Sequence, residues 1–202
     1  MIEKEVKLEI SGQKDFEQAL AYFTKYADNV FRDRLVNYYL DTAGLDLANK
    51  LVMIRVRTAK NNVLTYKNGT QVEEGYFRST EIETELDDAQ VQQALSDPSW
   101  LFEQNLAPMR EVEEEFGTLH LEVIGSLENE RCKLEVEGHR VELDRMRFPD
   151  GSEAYECELE SEDPESARSW CLEQLAKADV VVKPSTKTKF HRLLIKLGKV
   201  TE

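Results

Sequence analysis

The stretch IEKEVKLEI, residues 2–10, alternates strictly: Glu3, Glu5 and Lys7 share one side of an extended chain, and Val6 and Leu8 share the other. Six further segments repeat that two-residue spacing of charge. Arg55 and Arg57 stand opposite Ile54 and Val56 in LVMIRVRT (51–58), and Lys67 follows Thr65 in VLTYK (63–67). Glu81, Glu83 and Glu85 share a face in GYFRSTEIETEL (75–86). Further on, Arg131 pairs with Lys133, Glu142 with Asp144, and Glu156 with Glu158 and Glu160.

On any single strand such a face is ordinarily the solvated one, because charged residues are mostly exposed. Solvated faces, however, mix Thr, Ser, Gln, Lys and Glu, whereas these faces are each nearly pure in sign. Acidic and basic strands also alternate along the chain. A sheet closed on itself with these faces inward accounts for the pattern, with carboxylates on some walls and Arg or Lys on others. Unpaired charges inside would be strongly unfavourable. A bound polyanion with divalent cations satisfies both sets at once, and helices then cover the apolar outer faces.

Those helices are legible between the strands. Residues 13–27 place Phe16, Leu20, Phe23 and Ala27 at helical spacing, and LVNYYLDT (35–42) reads as a strand. Asp87 and Asp88 start a helix that runs through residues 89–104 with an interruption at Pro98. A second strand series follows: TLHLEVIG (118–125), RCKLEVEG (131–138), HRVELDRM (139–146) and EAYECELES (153–161). Asp163-Pro164-Glu165 caps a helix over about 165–178, and the basic, amphipathic tail KPSTKTKFHRLLIKL (183–197) opens with a Lys-rich loop. Strand group plus helix occurs twice, a faint duplication. The expected architecture is α+β, one domain over residues 1–202 built on a closed or nearly closed antiparallel sheet.

Composition narrows the chemistry. The chain's 202 residues, 41% hydrophobic and 33% charged, suit a globular domain. No apolar run approaches the roughly 18 residues of a membrane span, and the charged start is unlike a signal peptide, so a cytoplasmic location without membrane association is expected. Cys132, Cys157 and Cys171 form no Cys-x-x-Cys pair, and His120, His139 and His191 are scattered. A metal here would be held by carboxylates, which points to Mg²⁺, Mn²⁺ or Ca²⁺. The net charge of −14 argues against nucleic acid as a partner.

From Glu3 to about Leu194 the ordered motifs resemble the CYTH superfamily, the triphosphate tunnel metalloenzymes. That superfamily includes inorganic triphosphatases, thiamine triphosphatases and class IV adenylate cyclases. Its Glu-x-Glu-x-Lys signature stands as Glu3-Lys4-Glu5-Val6-Lys7, followed by NYYLDT (37–42), IRVR (54–57), TYK (65–67) and RSTEIE (78–83). The segment IGSLENERCKLEVEGHRVELD (124–144) is similar to the plant and bacterial tripolyphosphatase branch, and ECELE (156–160), DPESAR (163–168) and TKF (188–190) complete the order.

The resemblance implies a closed eight-stranded antiparallel β-barrel forming a tunnel, with helices outside. It implies that Glu3, Glu5, Glu156 and Glu158 hold Mg²⁺ or Mn²⁺, together with Asp144, Glu81 and Glu83. Lys7, Arg55, Arg57, Lys67, Arg131 and Lys189 would clamp the phosphates, with Arg78 and Lys187 as extras. Glu5, Lys7 and Glu158 would sit at the catalytic centre, and no Ser or Cys nucleophile is needed. The implied reaction is hydrolysis of inorganic triphosphate by metal-assisted attack of water. The alternatives are an organic triphosphate (thiamine triphosphate or a nucleotide) and cyclisation of ATP. The expected partner is the small triphosphate itself, and a homodimer is compatible with the family. Removing one of the crowded carboxylates would be expected to relieve repulsion.

Overall fold

The computed structural model describes residues 2–201. Its strands are β1 (Ile2–Ile10), β2 (Asn29–Asp41), β3 (Val52–Thr58), β4 (Asn62–Glu73), β5 (Tyr76–Leu86), β6 (Glu122–Val136), β7 (His139–Arg147), β8 (Glu153–Glu160) and the short β9 (Val182–Pro184). The helices are α1 (Gln13–Tyr26), α2 (Asp88–Ser96), α3 (Ala107–Phe116), α4 (Pro164–Lys177) and α5 (Lys189–Lys196). Antiparallel neighbours run in the order β5-β4-β3-β2-β6-β7-β8-β1. β1 then returns to pair with β5, Ile2 opposite Thr80 and Val6 opposite Tyr76, so eight strands form a closed ring. β1 also carries β9 through Leu8 opposite Pro184 and Ile10 opposite Val182.

The parity of each strand is decided by packing outside the ring. Val6, Leu8, Leu134, Leu143 and Leu159 lie beneath Phe16 and Phe23 of α1 and Cys171 and Leu175 of α4. On the other half, Ile54, Val56, Leu64 and Tyr66 lie beneath Val91 of α2 and Met109 and Val112 of α3. Each such Leu or Phe contributes about 2 kcal/mol by burial. A one-residue slip of any strand would exchange those side chains for charged ones, so the register is strongly specified.

The inner faces change character toward one end. Asn37 gives way to Tyr39 in β2, Arg55 to Met53 in β3, Asn129 to Leu127 in β6, Asp144 to Met146 in β7, and Glu156 to Ala154 in β8. These apolar residues join Phe190, Leu193 and Leu194 of α5 in a third cluster, where Tyr39 stacks on Phe190 with ring centroids 4.6 Å apart. α5 therefore fills that end of the ring's interior, and the charged groups occupy the remainder.

Four local features depart from the sequence expectation. Residues 118–125 and 131–138 are not two strands; β6 is continuous over 15 residues because Leu127 and Asn129 keep the buried alternation across the gap. β2 begins at Asn29, earlier than Leu35, since its exposed first half is held by pairing with β6 rather than by burial. The segment after Asp88 is not one interrupted helix: α2 ends at Ser96, a 3-10 turn covers Pro98–Gln104, and α3 follows with Pro108 in its first turn. The start of the tail is not all loop, because Val182–Pro184 pair with β1 before Thr188 caps α5. No helix among the described residues is long and apolar enough to cross a membrane.

In β4, Gly69 stands opposite Ser79 of β5. A Cβ there would lie 2.4 Å from Ser79 Cβ and 2.7 Å from the Arg78 carbonyl oxygen. Gly69→Ala is expected to destabilise the protein by about 2 kcal/mol through this overpacking, read as a lower urea midpoint.

Candidate functional site

The ring encloses a cavity of about 740 Å³. Its lining includes Glu3, Glu5, Lys7, Arg55, Arg57, Lys67, Glu81, Glu83, Arg131, Glu158 and Lys189. Asp144 and Glu156, also expected there, lie just behind the wall and are fully buried. Arg78 is exposed and has the opposite parity on β5, facing Lys4 in register, so it contributes only to the rim, as does Lys187.

The carboxylates converge on two ammonium groups. Lys67 Nζ lies 2.7 Å from Glu3, 3.2 Å from Glu5 and 3.0 Å from Glu81. Lys189 Nζ lies 3.0 Å from Asp144, 2.8 Å from Glu156 and 2.6 Å from Glu158. Lys7 joins the two groups, with Nζ 3.0 Å from Glu5 Oε2 and hydrogen-bonded to Glu158 Oε1. Arg131 grips Asp144 with two bonds, Nε to Oδ1 at 2.8 Å and Nη2 to Oδ2 at 2.6 Å, and reaches Glu158 Oε2 at 2.9 Å. Glu142 completes its surroundings. Glu83 is set apart: its side chain is 46% exposed, and it accepts the Thr65 hydroxyl at 2.9 Å.

Protonation follows this geometry. Burial pushes the Glu3 carboxyl up to about 7, helped by the hydrogen bond it shares with Glu81, while Lys67 pulls the other way. For Glu81 burial raises the pKa, but the Glu3 bond, Lys67 and Arg55 together lower it more, so the shared proton rests on Glu3. Glu158 is likewise buried, yet Lys189, Lys7 and Arg131 hold it well below the usual carboxylate range. Arg57 is the opposite case. Burial and the flanking Arg55 and Arg131 lower it to about 10. Among the described residues it meets no carboxylate within ion-pair distance, and its Nε donates to Asn37 Oδ1 at 3.0 Å.

Three buried side-chain atoms without a hydrogen bond among the described residues belong to the lining: Ser79 Oγ, Arg55 Nε and Asn129 Oδ1. The sequence reading omitted Asn37, Ser79 and Asn129 because they carry no charge. Parity could have found Asn129, two residues from Arg131, and Asn37, two from Tyr39. Asp41 of NYYLDT is outside the cavity; its carboxylate accepts the backbone amides of Thr42, Leu47 and Ala48 and shapes the loop into β3.

Chemically, the cavity brings oxygen ligands suited to hard cations beside a guanidinium group suited to a phosphate. Three solved structures share this fold. A protein of Hippeastrum, described as an adenylyl cyclase candidate with a dominant triphosphatase activity, is 24% identical, with 98% of this chain and 97% of that one covered at a TM-score of 0.87. An adenylate cyclase candidate of Bacillus halodurans is 19% identical over 95% of this chain and 97% of its own, with a TM-score of 0.71. The PH1819 protein of Pyrococcus horikoshii is 18% identical over 95% and 99%, with a TM-score of 0.61. At these identities the likeness speaks for the fold alone. No curated protein matches the chain. The CYTH domain family model matches residues 1–194, which is nearly the whole chain, and the protein belongs to the CYTH family.

Proposed function

We propose that the ring is a tunnel-forming barrel, that residues 1–202 make one domain, and that it hydrolyses inorganic triphosphate with the help of Mg²⁺ or Mn²⁺. The observation that carries this reading is Arg57, a part-buried cation repelled by Arg55 and Arg131 that forms no ion pair among the described residues. A polyanion is the group that satisfies it. Arg55 Nε, Arg131 and Lys7 surround the same space and suit several linked phosphates better than one.

The acidic side of the cavity suits a divalent cation by donor type. Among the described residues no three acidic, His or Cys groups form a ready cage. Yet Glu3, Glu5 and Glu81, and likewise Asp144, Glu156 and Glu158, already surround a positive charge, that of a lysine. All donors are oxygens, as Mg²⁺ and Mn²⁺ prefer. A cation bound there would neutralise phosphate charge and acidify water. The chain's own part is positioning. Lys67 and Lys189 turn from carboxylates to phosphate oxygens when the substrate enters, Arg57 and Arg131 fix the phosphates, and α5 excludes water from the far end.

Binding of the cation should displace the Glu3 proton. Because that pKa is raised, the folded protein keeps the proton to higher pH than the unfolded chain. The stability it provides is full in acid and is lost as pH climbs from the carboxylate range through about 7. Mn²⁺ binding at pH 6 is therefore expected to release about one proton, and at pH 8.5 almost none. Calorimetry in buffers of different ionisation heat measures this, and equal release at both pH values would remove Glu3 from the ligand set.

A second reading is an organic triphosphate. Phe31 is 60% exposed on the inner parity of β2, opposite Lys133, where a ring could stack on a base. Phosphate release from tripolyphosphate, thiamine triphosphate and ATP, each with Mg²⁺ or Mn²⁺, separates the two readings. No turnover of any despite tight binding overturns the enzyme assignment, and cyclic AMP in excess of released phosphate moves it to a cyclase.

A further inference from the structure

Arg192, three residues after Lys189 on α5, belongs to none of the motifs and does not line the cavity. Its Nη2 donates to Ser185 Oγ at 2.7 Å, to Glu9 Oε1 at 2.8 Å and to Glu156 Oε1 at 3.2 Å. Lys189 Nζ donates to the other oxygen of that carboxylate, Glu156 Oε2, at 2.8 Å. Glu156 is fully buried, so these two α5 side chains hold its two oxygens between them.

The two grips differ in what they can do. Lys189 reaches into the cavity and also touches Asp144 and Glu158, so a phosphate chain can draw it away. Arg192 sits outside the lining and is anchored by Glu9, which Lys183 pairs at 2.9 Å, and by Ser185, whose amide donates to the Lys7 carbonyl at 2.9 Å. Its anchors Glu9 and Ser185 are not part of the cavity lining either.

Resting on the function proposed above, we infer that Arg192 is a positioning residue. It fixes the Glu156 carboxylate through Oε1 so that Oε2, released by Lys189, is presented to the divalent cation. It acts on the cation through Glu156 and touches neither phosphate nor metal.

The test is Mn²⁺ binding to the whole protein without triphosphate, followed by electron paramagnetic resonance of free Mn²⁺, alongside steady-state kinetics. Loss of such an outer partner lowers metal affinity by about 10–100-fold. Arg192→Met is thus expected to weaken Mn²⁺ by about tenfold or more and to raise the Mn²⁺ needed for half-maximal turnover alike, with KM for triphosphate unchanged. Arg192→Lys keeps the charge but not the planar guanidinium that brings Nη2 to Glu156 Oε1, so an intermediate loss of about threefold is expected. This variant carries the test if the Met variant does not fold. Mn²⁺ affinity equal to that of the unaltered protein in the folded variants overturns the inference, whatever happens to the melting temperature. Failure of the unaltered protein to bind Mn²⁺ overturns the metal reading and this inference with it.

Discussion

Glu158→Gln is expected to reduce phosphate release from inorganic triphosphate by about a thousandfold or more, in line with losing a charged group aimed at the reacting phosphates. The side chain accepts from Lys7 and Lys189 on Oε1 and from Arg131 on Oε2, so it orients three of the cations offered to the substrate. An amide of the same shape keeps the volume but cannot accept on both ends. The same contacts reverse the expectation that removing a crowded carboxylate relieves repulsion. Lys7, Lys189 and Arg131 contact Glu158 directly, and their attraction holds its pKa down against burial and against the neighbouring Glu5, Asp144 and Glu156. Its neutralisation leaves those cations under-compensated in a buried setting, which costs about 3 kcal/mol. Stopped assays and urea unfolding on the same preparation measure both effects. Near-normal turnover would end the assignment of Glu158 to the catalytic centre.

Arg57→Met should move stability and function in opposite directions. The guanidinium is disfavoured by burial and by Arg55 and Arg131, which is why its pKa falls to about 10. Removing it should stabilise the protein without substrate by about 1–2 kcal/mol, a rise of a few degrees in Tm. Triphosphate then loses a guanidinium that no carboxylate occupies among the described residues, and KM should rise about a hundredfold, as for loss of a two-donor phosphate contact. A thermal melt and a substrate titration suffice. A variant that is less stable and binds triphosphate normally would mean that Arg57 serves the fold.

Much of this was readable in the alternation of charge. Glu3, Glu5 and Lys7, the Arg55–Arg57 pair, Glu81, Glu83 and Glu158 all line the cavity, as their parity required, because the apolar residues between them had helices to meet. What escaped was held by pairing rather than by composition. The first half of β2 is exposed on both faces and is held as a strand by pairing with β6 beside it. α3, with Glu111, Glu113, Glu114 and Glu115 on a short helix, shows little but Met109 and Val112 to mark a buried stripe. Arg192 looked like any basic residue of an amphipathic tail, since its partners Glu9 and Glu156 are 183 and 36 residues away.

The double role of β1 bears on how the molecule reaches its native state. Its first half pairs with residues 76–80 and its second with residues 155–160 and 182–184. Synthesised before all of its partners, this strand finds the last of them only after residues 182–184 have emerged. Until then its edges are open to other chains. Glu3, Glu5, Lys7 and Glu9 charge one face of that waiting segment, so residues that line the finished cavity would also disfavour aggregation of the nascent strand. Closure over such sequence separations makes the final step slow relative to formation of the β3–β5 meander, which is local.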